Sequence, residues 1–128
     1  MNTITQTYTI NAPATKVWQA LTDARTAEQW GAAPANVEAN EGGTFSYWDG
    51  DIHGTFTKLT PYTLIEQDWY GHDDPDQKYR AVFTFKEENG VTKVTLHFSG
   101  DIKNEKKDIS DWQNYYFDPI KQLLESQQ

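Results

Sequence analysis

Three histidines, an acidic segment reading GHDDPDQ and a basic one reading KNEKK are the places in this sequence where chemistry could reside. Histidine is the side chain whose ordinary pKa lies nearest neutrality, so His53, His72 and His97 are the first acid–base candidates. Alternation puts His53 on one strand face with Thr55 and Thr57, and His97 with Lys93, Thr95 and Ser99. Both faces are polar and point to solvent. His72 falls in a loop, and Glu66 and Asp68 alternate with the apolar Ile65 and Trp69, so they face outward too. Spacing assembles no carboxylate pair and no serine–histidine–aspartate set, so no catalytic residue and no enzyme activity are expected.

The GHDDPDQ segment offers one imidazole and three carboxylates, yet it lacks the D-x-D-x-D-G spacing and distant glutamate of a calcium hand. It reads as a solvated acidic turn, with no metal and no cofactor expected. Gly42-Gly43 precedes a strand instead of opening a helix, so it suits a turn or bulge and not a phosphate cradle. Lys103, Lys106 and Lys107 form a basic island on an acidic background. They read as a solvated loop that could double as a partner contact.

The elements that must position these residues follow from periodicity. Ile4, Gln6, Tyr8 and Ile10 alternate with Thr3, Thr5, Thr7 and Thr9, which predicts a strand with one buried face. Pro13 suits the start of a helix, and Ala14, Val17, Trp18 and Leu21 follow at helical spacing. Asp23 can cap a second short helix through Trp30. From Val37 to Ser99 the period is two, predicting strands over 44–48, 52–60, 64–70, 79–87 and 91–99. Asp49-Gly50 and Asn89-Gly90 are hairpin signals, because such turns need positive φ. The segment DIKNEKKDIS reads as a charged loop, and a last helix as spanning 110–126. Pro119 falls inside that helix, where a proline costs about 3 kcal/mol and predicts a bend.

Helices segregated from an antiparallel run of strands define an α+β chain of 128 residues, expected to be one domain over 1–128. The formal net charge of -8 opposes binding to nucleic acid or an anionic membrane. The absence of cysteine excludes disulfides and zinc–thiolate sites, which is compatible with a reducing compartment. No signal peptide and no membrane span are legible. A cytoplasmic location is expected. Aromatic residues number 18, from five Trp, seven Tyr and six Phe, so the core is expected to rest on them.

Three stretches carry a family resemblance. INAPATKVWQALTD followed by EQW resembles the opening of the helix-grip superfamily, which includes START-type lipid carriers and plant pollen allergens. EANEGGTFSYWDGDIHGTFTKLTPYTLIEQDW is similar to the sheet of one branch, the C-terminal domain of the activator of heat-shock protein 90 ATPase. WQNYYFDPIKQ resembles that branch's last helix, where a glycine commonly stands at the place of Pro119. The resemblance implies a curved antiparallel sheet wrapped around a long C-terminal helix, with two short helices after the first strand. It implies a non-catalytic, chaperone-associated binding domain with a heat-shock protein 90-type partner. The separate N-terminal domain of the eukaryotic activators would not fit in 128 residues, so weak stimulation at most is expected.

Carriage or sensing of a small hydrophobic molecule is the alternative that the superfamily implies. Alternation and helical spacing turn Phe45, Tyr47, Phe56, Trp69, Tyr79, Phe83, Trp112, Tyr116 and Ile120 inward. Large aromatic walls with phenol and indole tips suit an apolar ligand. The same stripe also suits a packed core. The two readings diverge on whether the space between Trp69, Phe83 and Tyr116 is hollow.

Overall fold

A computed structural model describes residues 2–72 and 74–127. Seven strands form one sheet, antiparallel throughout: β1 (Asn2–Ile10), β2 (Asn36–Val37), β3 (Thr44–Tyr47), β4 (Ile52–Thr60), β5 (Leu64–Tyr70), β6 (Tyr79–Glu88) and β7 (Val91–Gly100). Their order across the sheet is β1-β7-β6-β5-β4-β3-β2. Helices α1 (Ala14–Thr22) and α2 (Ala24–Gln29) follow β1. The C-terminal helical segment comprises α3 (Glu105–Asp111), a π-helical turn (Trp112–Phe117) and α4 (Asp118–Ser126). This is the α+β, helix-grip arrangement.

Both ends of the sheet reach that last segment. Tyr8 of β1 stacks on Phe117 with ring centroids 4.0 Å apart, and Tyr47 of β3 meets Tyr116 at 6.0 Å. The sheet therefore curls around the helix, and the residues between are buried: Phe45, Phe56, Ile65, Ala81, Phe83, Leu96, Phe98 and Ile120 among them. Alternation along β6 and β7 places every second residue in this layer, as the period of two requires.

Side chains close the exposed helix ends. Carbonyls at the end of a helix lack intrahelical partners. Trp30 Nε1 donates to Ala20 O at 2.8 Å, and the Tyr47 hydroxyl to Leu21 O at 3.1 Å, which satisfies two carbonyls at the end of α1. Asp23 caps α2 as expected, accepting from Thr26 N at 3.0 Å. The Asn89-Gly90 turn has φ values of 55° and 80° at its two central residues, the two-residue hairpin that the pair predicts. At Asp49-Gly50 the left-handed run starts one residue earlier, at Trp48 (φ 53°). There the Trp48 and Asp49 N–H groups donate to Ala32 O and Pro34 O, which holds the tip against the segment after α2.

Two expectations are corrected. The DIKNEKKDIS loop is only partly a loop, because α3 begins at Glu105, where Asn104 Oδ1 accepts from Lys107 N at 3.1 Å. Apolar periodicity is absent from EKKDISD, but the cap and the early acidic residues Glu105 and Asp108 stabilise its first turn. Pro119 does not interrupt an α-helix interior. It stands in the first turn of α4, directly after the π-turn, where the Asp118 N–H bonds back to Gln113 O, five residues away. The wider turn gives the pyrrolidine ring room beside the preceding carbonyls.

Candidate functional site

Trp112 decides where space remains between sheet and helix. Its ring centroid lies 5.4 Å from that of Trp69, 5.8 Å from Phe83 and 4.4 Å from Tyr116. The interior between Trp69, Phe83 and Tyr116 is thus occupied by an indole. Phe45, Tyr47, Phe56, Phe83 and Ile120 are packed in the core behind it. Trp69, Tyr79, Trp112 and Tyr116 stand farther out, where the ends of β4, β5 and β6 diverge from α3 and the π-turn.

Between those elements opens a cleft of about 530 Å³. Its apolar walls are Trp48, Ile52, Trp69, Tyr79, Phe98, Trp112, Tyr115 and Tyr116, and its rim carries Asp51, His72, Asp74, Lys107, Asp108 and Asp111. This volume is within the range of small-molecule sites, which run from roughly 300 to 1,000 Å³. Trp112, Tyr115 and Tyr116 stand at i, i+3 and i+4, one helical face, and all three belong to the π-turn. Such turns recur at functional sites.

At the cleft floor, Trp69 Nε1 donates to the Tyr116 hydroxyl at 3.4 Å. Among the described residues no acceptor receives the Tyr116 O–H in turn. Burial, then the proximity of Tyr47, holds the Tyr116 phenol well above its ordinary pKa, against the smaller effect of the Trp69 bond. The group is a neutral donor. Tyr79 is also raised, by burial first and then by Asp74 and Asp108, and its hydroxyl donates to Asp101 O at 3.2 Å.

Lys103 reaches Asp74 at 3.2 Å, a bond that raises the lysine pKa, and Lys107 reaches Asp111 at 2.7 Å. Lys106 is exposed. The basic island is therefore interleaved with carboxylates at one end of the cleft. The histidines stay apart: His53 stacks on Tyr70 with centroids 5.1 Å apart, His97 Nδ1 lies 3.2 Å from Thr5 Oγ1, and His72 Nδ1 lies 3.3 Å from Asp51. Among the described residues no three His, Asp or Glu side chains converge as a metal site; Asp73 of the acidic turn lies outside them. No helix among the described residues is long and apolar enough to cross a membrane.

Sequence reasoning did not single out Trp48, Asp51, Tyr115, Asp108 or Asp111. The signal available for Trp48 was its place beside the Asp49-Gly50 hairpin tip. For Asp108 and Asp111 it was helical spacing relative to Trp112; the loop reading of DIKNEKKDIS hides it for Asp108, while Asp111 falls in the helix expected over 110–126.

The family model described as "Activator of Hsp90 ATPase homolog 1-like protein" matches residues 11–125. The human activator of 90 kDa heat shock protein ATPase homolog 1 is 35% identical over 94 residues, covering 72% of this chain and 28% of the human protein. The chain spans about a third of the length of the curated relatives it matches, at 28% to 37%. Among solved structures, an HSP90 activator from Plasmodium falciparum has a TM-score of 0.81 at 22% identity, with 95% of each chain covered. The AHSA1-like protein from Aeromonas hydrophila has a TM-score of 0.78 at 20% identity, covering 98% of this chain and 93% of that one. Sheet order, gripped helix and a match over nearly the whole chain agree: this protein belongs to the family of Hsp90 ATPase activator homolog 1-like proteins.

Proposed function

We propose that this chain is a non-catalytic binding domain that engages an Hsp90-type chaperone. The observation that carries the reading is its 35% identity to a human protein named for activating that chaperone's ATPase. The separation of His53, His72 and His97 supports a binding role over acid–base catalysis. Lys103, Lys106 and Lys107 are the proposed contact, because they cluster in one short stretch of a chain whose net charge is -8. At 0.1 M salt the field of the whole chain is screened beyond about 10 Å, so docking must depend on such local pairs. Calorimetric titration with the purified chaperone, at low salt and with nucleotide present, tests this. Binding is expected, and Lys106→Glu should weaken it without disturbing the cleft, which Lys106 does not line. No heat of binding under those conditions would reject the reading.

A second reading is favoured by the cleft: carriage or sensing of a small apolar molecule. Its support is the open aromatic space with a buried phenol donor at the floor. Saturable change in tryptophan fluorescence on adding an apolar ligand would support it. The two roles are compatible on one domain, because the exposed Lys106 lies outside the cleft.

A further inference from the structure

Resting on the reading of the cleft as a small-molecule site, we propose that its ligand is an organic cation: a positively charged nitrogen on a compact apolar body bearing an oxygen acceptor. Two independent features of the cleft favour positive charge in the same place. Its walls present three indoles, Trp48, Trp69 and Trp112, and the phenols of Tyr79 and Tyr116. The faces of such rings carry negative quadrupole density and attract a desolvated cation, tryptophan most strongly.

The rim adds full charges of the same sign. Asp51, Asp74, Asp108 and Asp111 line it, against Lys107 inside and Lys103 reaching Asp74 from outside. Four carboxylates against two lysines leave the rim net negative, and the chain as a whole carries -8. No arginine lines the cleft. An anion would be opposed by walls and rim alike, while a neutral apolar molecule would use the walls alone.

The third feature concerns the ligand's body. Tyr116 is 3% exposed, lines the cleft, and has no acceptor for its O–H among the described residues. Leaving a buried donor unmade is costly, so a ligand oxygen reaching the floor completes the site. The volume of about 530 Å³ accommodates a bicyclic body with a trimethylammonium head.

The experiment compares three probes on one naphthyl ether frame: 2-(2-naphthyloxy)ethyl-trimethylammonium, its neutral carbon isostere with tert-butyl in place of trimethylammonium, and 2-naphthyloxyacetate. The readout is the set of tryptophan indole N–H resonances of the full chain. Trp48, Trp69 and Trp112 report the cleft, and Trp18, which does not line it, is the internal reference. The cation should shift the three cleft signals saturably, leave Trp18 in place, and bind at least tenfold more tightly than the neutral probe. The anion should shift none. Asp51→Asn combined with Asp108→Asn should weaken the cation at least fivefold and leave the neutral probe unchanged, with the Trp18 signal certifying the fold. A neutral probe binding as tightly as the cation overturns the charge assignment while the small-molecule reading stands. If none of the three probes moves the cleft signals, that reading falls and the inference with it.

Discussion

Tyr8 lies flat on Phe117, with ring centroids 4.0 Å apart and planes inclined by 8°. The stack ties the edge strand β1 to the π-turn, and so fixes the middle of the helical segment that the sheet encloses. A double-mutant cycle with Tyr8→Leu and Phe117→Leu should return a coupling of about 0.5–1.5 kcal/mol in chemical denaturation. Additive single effects would show that the two rings are adjacent without being energetically joined.

Alkaline stability should reveal the buried phenols. Burial, followed by the charge of Asp118, raises Tyr8 to about 12, and burial raises Tyr47 and Tyr116 above their ordinary value of 10.0. Below pH 10 these groups are protonated in both folded and unfolded chains and contribute no pH dependence. Above pH 10 the unfolded chain releases its protons first, binds fewer than the folded one, and stability falls as pH rises. The slope is about 1.4 kcal/mol per pH unit for each of the fully buried Tyr47 and Tyr116. The denaturation midpoint should be level from pH 8 to 9.5 and drop beyond 10. Tyr47→Phe should lessen the drop, at a cost of about 1–3 kcal/mol at neutral pH for the Leu21 carbonyl left without its donor.

Two glycines should differ in how they fail. Gly90 has φ 80° with open space where a Cβ would stand, so Gly90→Ala suffers only the backbone cost, about 1–2 kcal/mol. At Gly54 in β4, a Cβ would lie 1.9 Å from the backbone oxygen of Asp68 on β5. Gly54→Ala must push two paired strands apart and should be the more damaging by a clear margin in thermal unfolding. Equal losses would mean that β4 and β5 yield easily at that point.

Pro119→Ala should change stability by less than about 1 kcal/mol, since the π-turn ahead of it already departs from the α-helical bonding that a proline disrupts. Relief of about 3 kcal/mol is what removal of an interior helical proline would yield, and observing it would disprove the accommodation by the π-turn.

Much of this architecture was legible because its signals are local. The five strands expected between Thr44 and Ser99 begin where expected and end within a residue, since alternation ends at turn residues such as Asn89-Gly90. The two-residue β2 carries no period to read. EKKDI, the part of α3 ahead of the expected helix, reads as loop because Ile109 is its sole apolar residue, although Asn104 at its head is a capping type. The site was harder. Trp69 and Phe83 are both inward residues of adjacent strands, and alternation cannot tell that Phe83 is sealed under Trp112 while Trp69 borders open space. That difference depends on where a helix far away in sequence comes to rest. The π-turn had a faint trace of its own: helical spacing from Trp112 points to Leu123, whereas Leu124 is the residue fully buried.

That one-residue offset makes the π-turn a register absorber. Each residue of an α-helix advances by about 100°, so the extra residue taken up between Trp112 and Phe117 leaves Leu124 at the angle that Leu123 would occupy in an unbroken α-helix. Lys121 and Glu125, which hold Thr9 O and the Asn11 N–H, depend on the same phase. Closing the turn to an α-helix by deleting one residue would keep that phase. Chain length in this short stretch is therefore more forgiving than in the α-helices on either side of it.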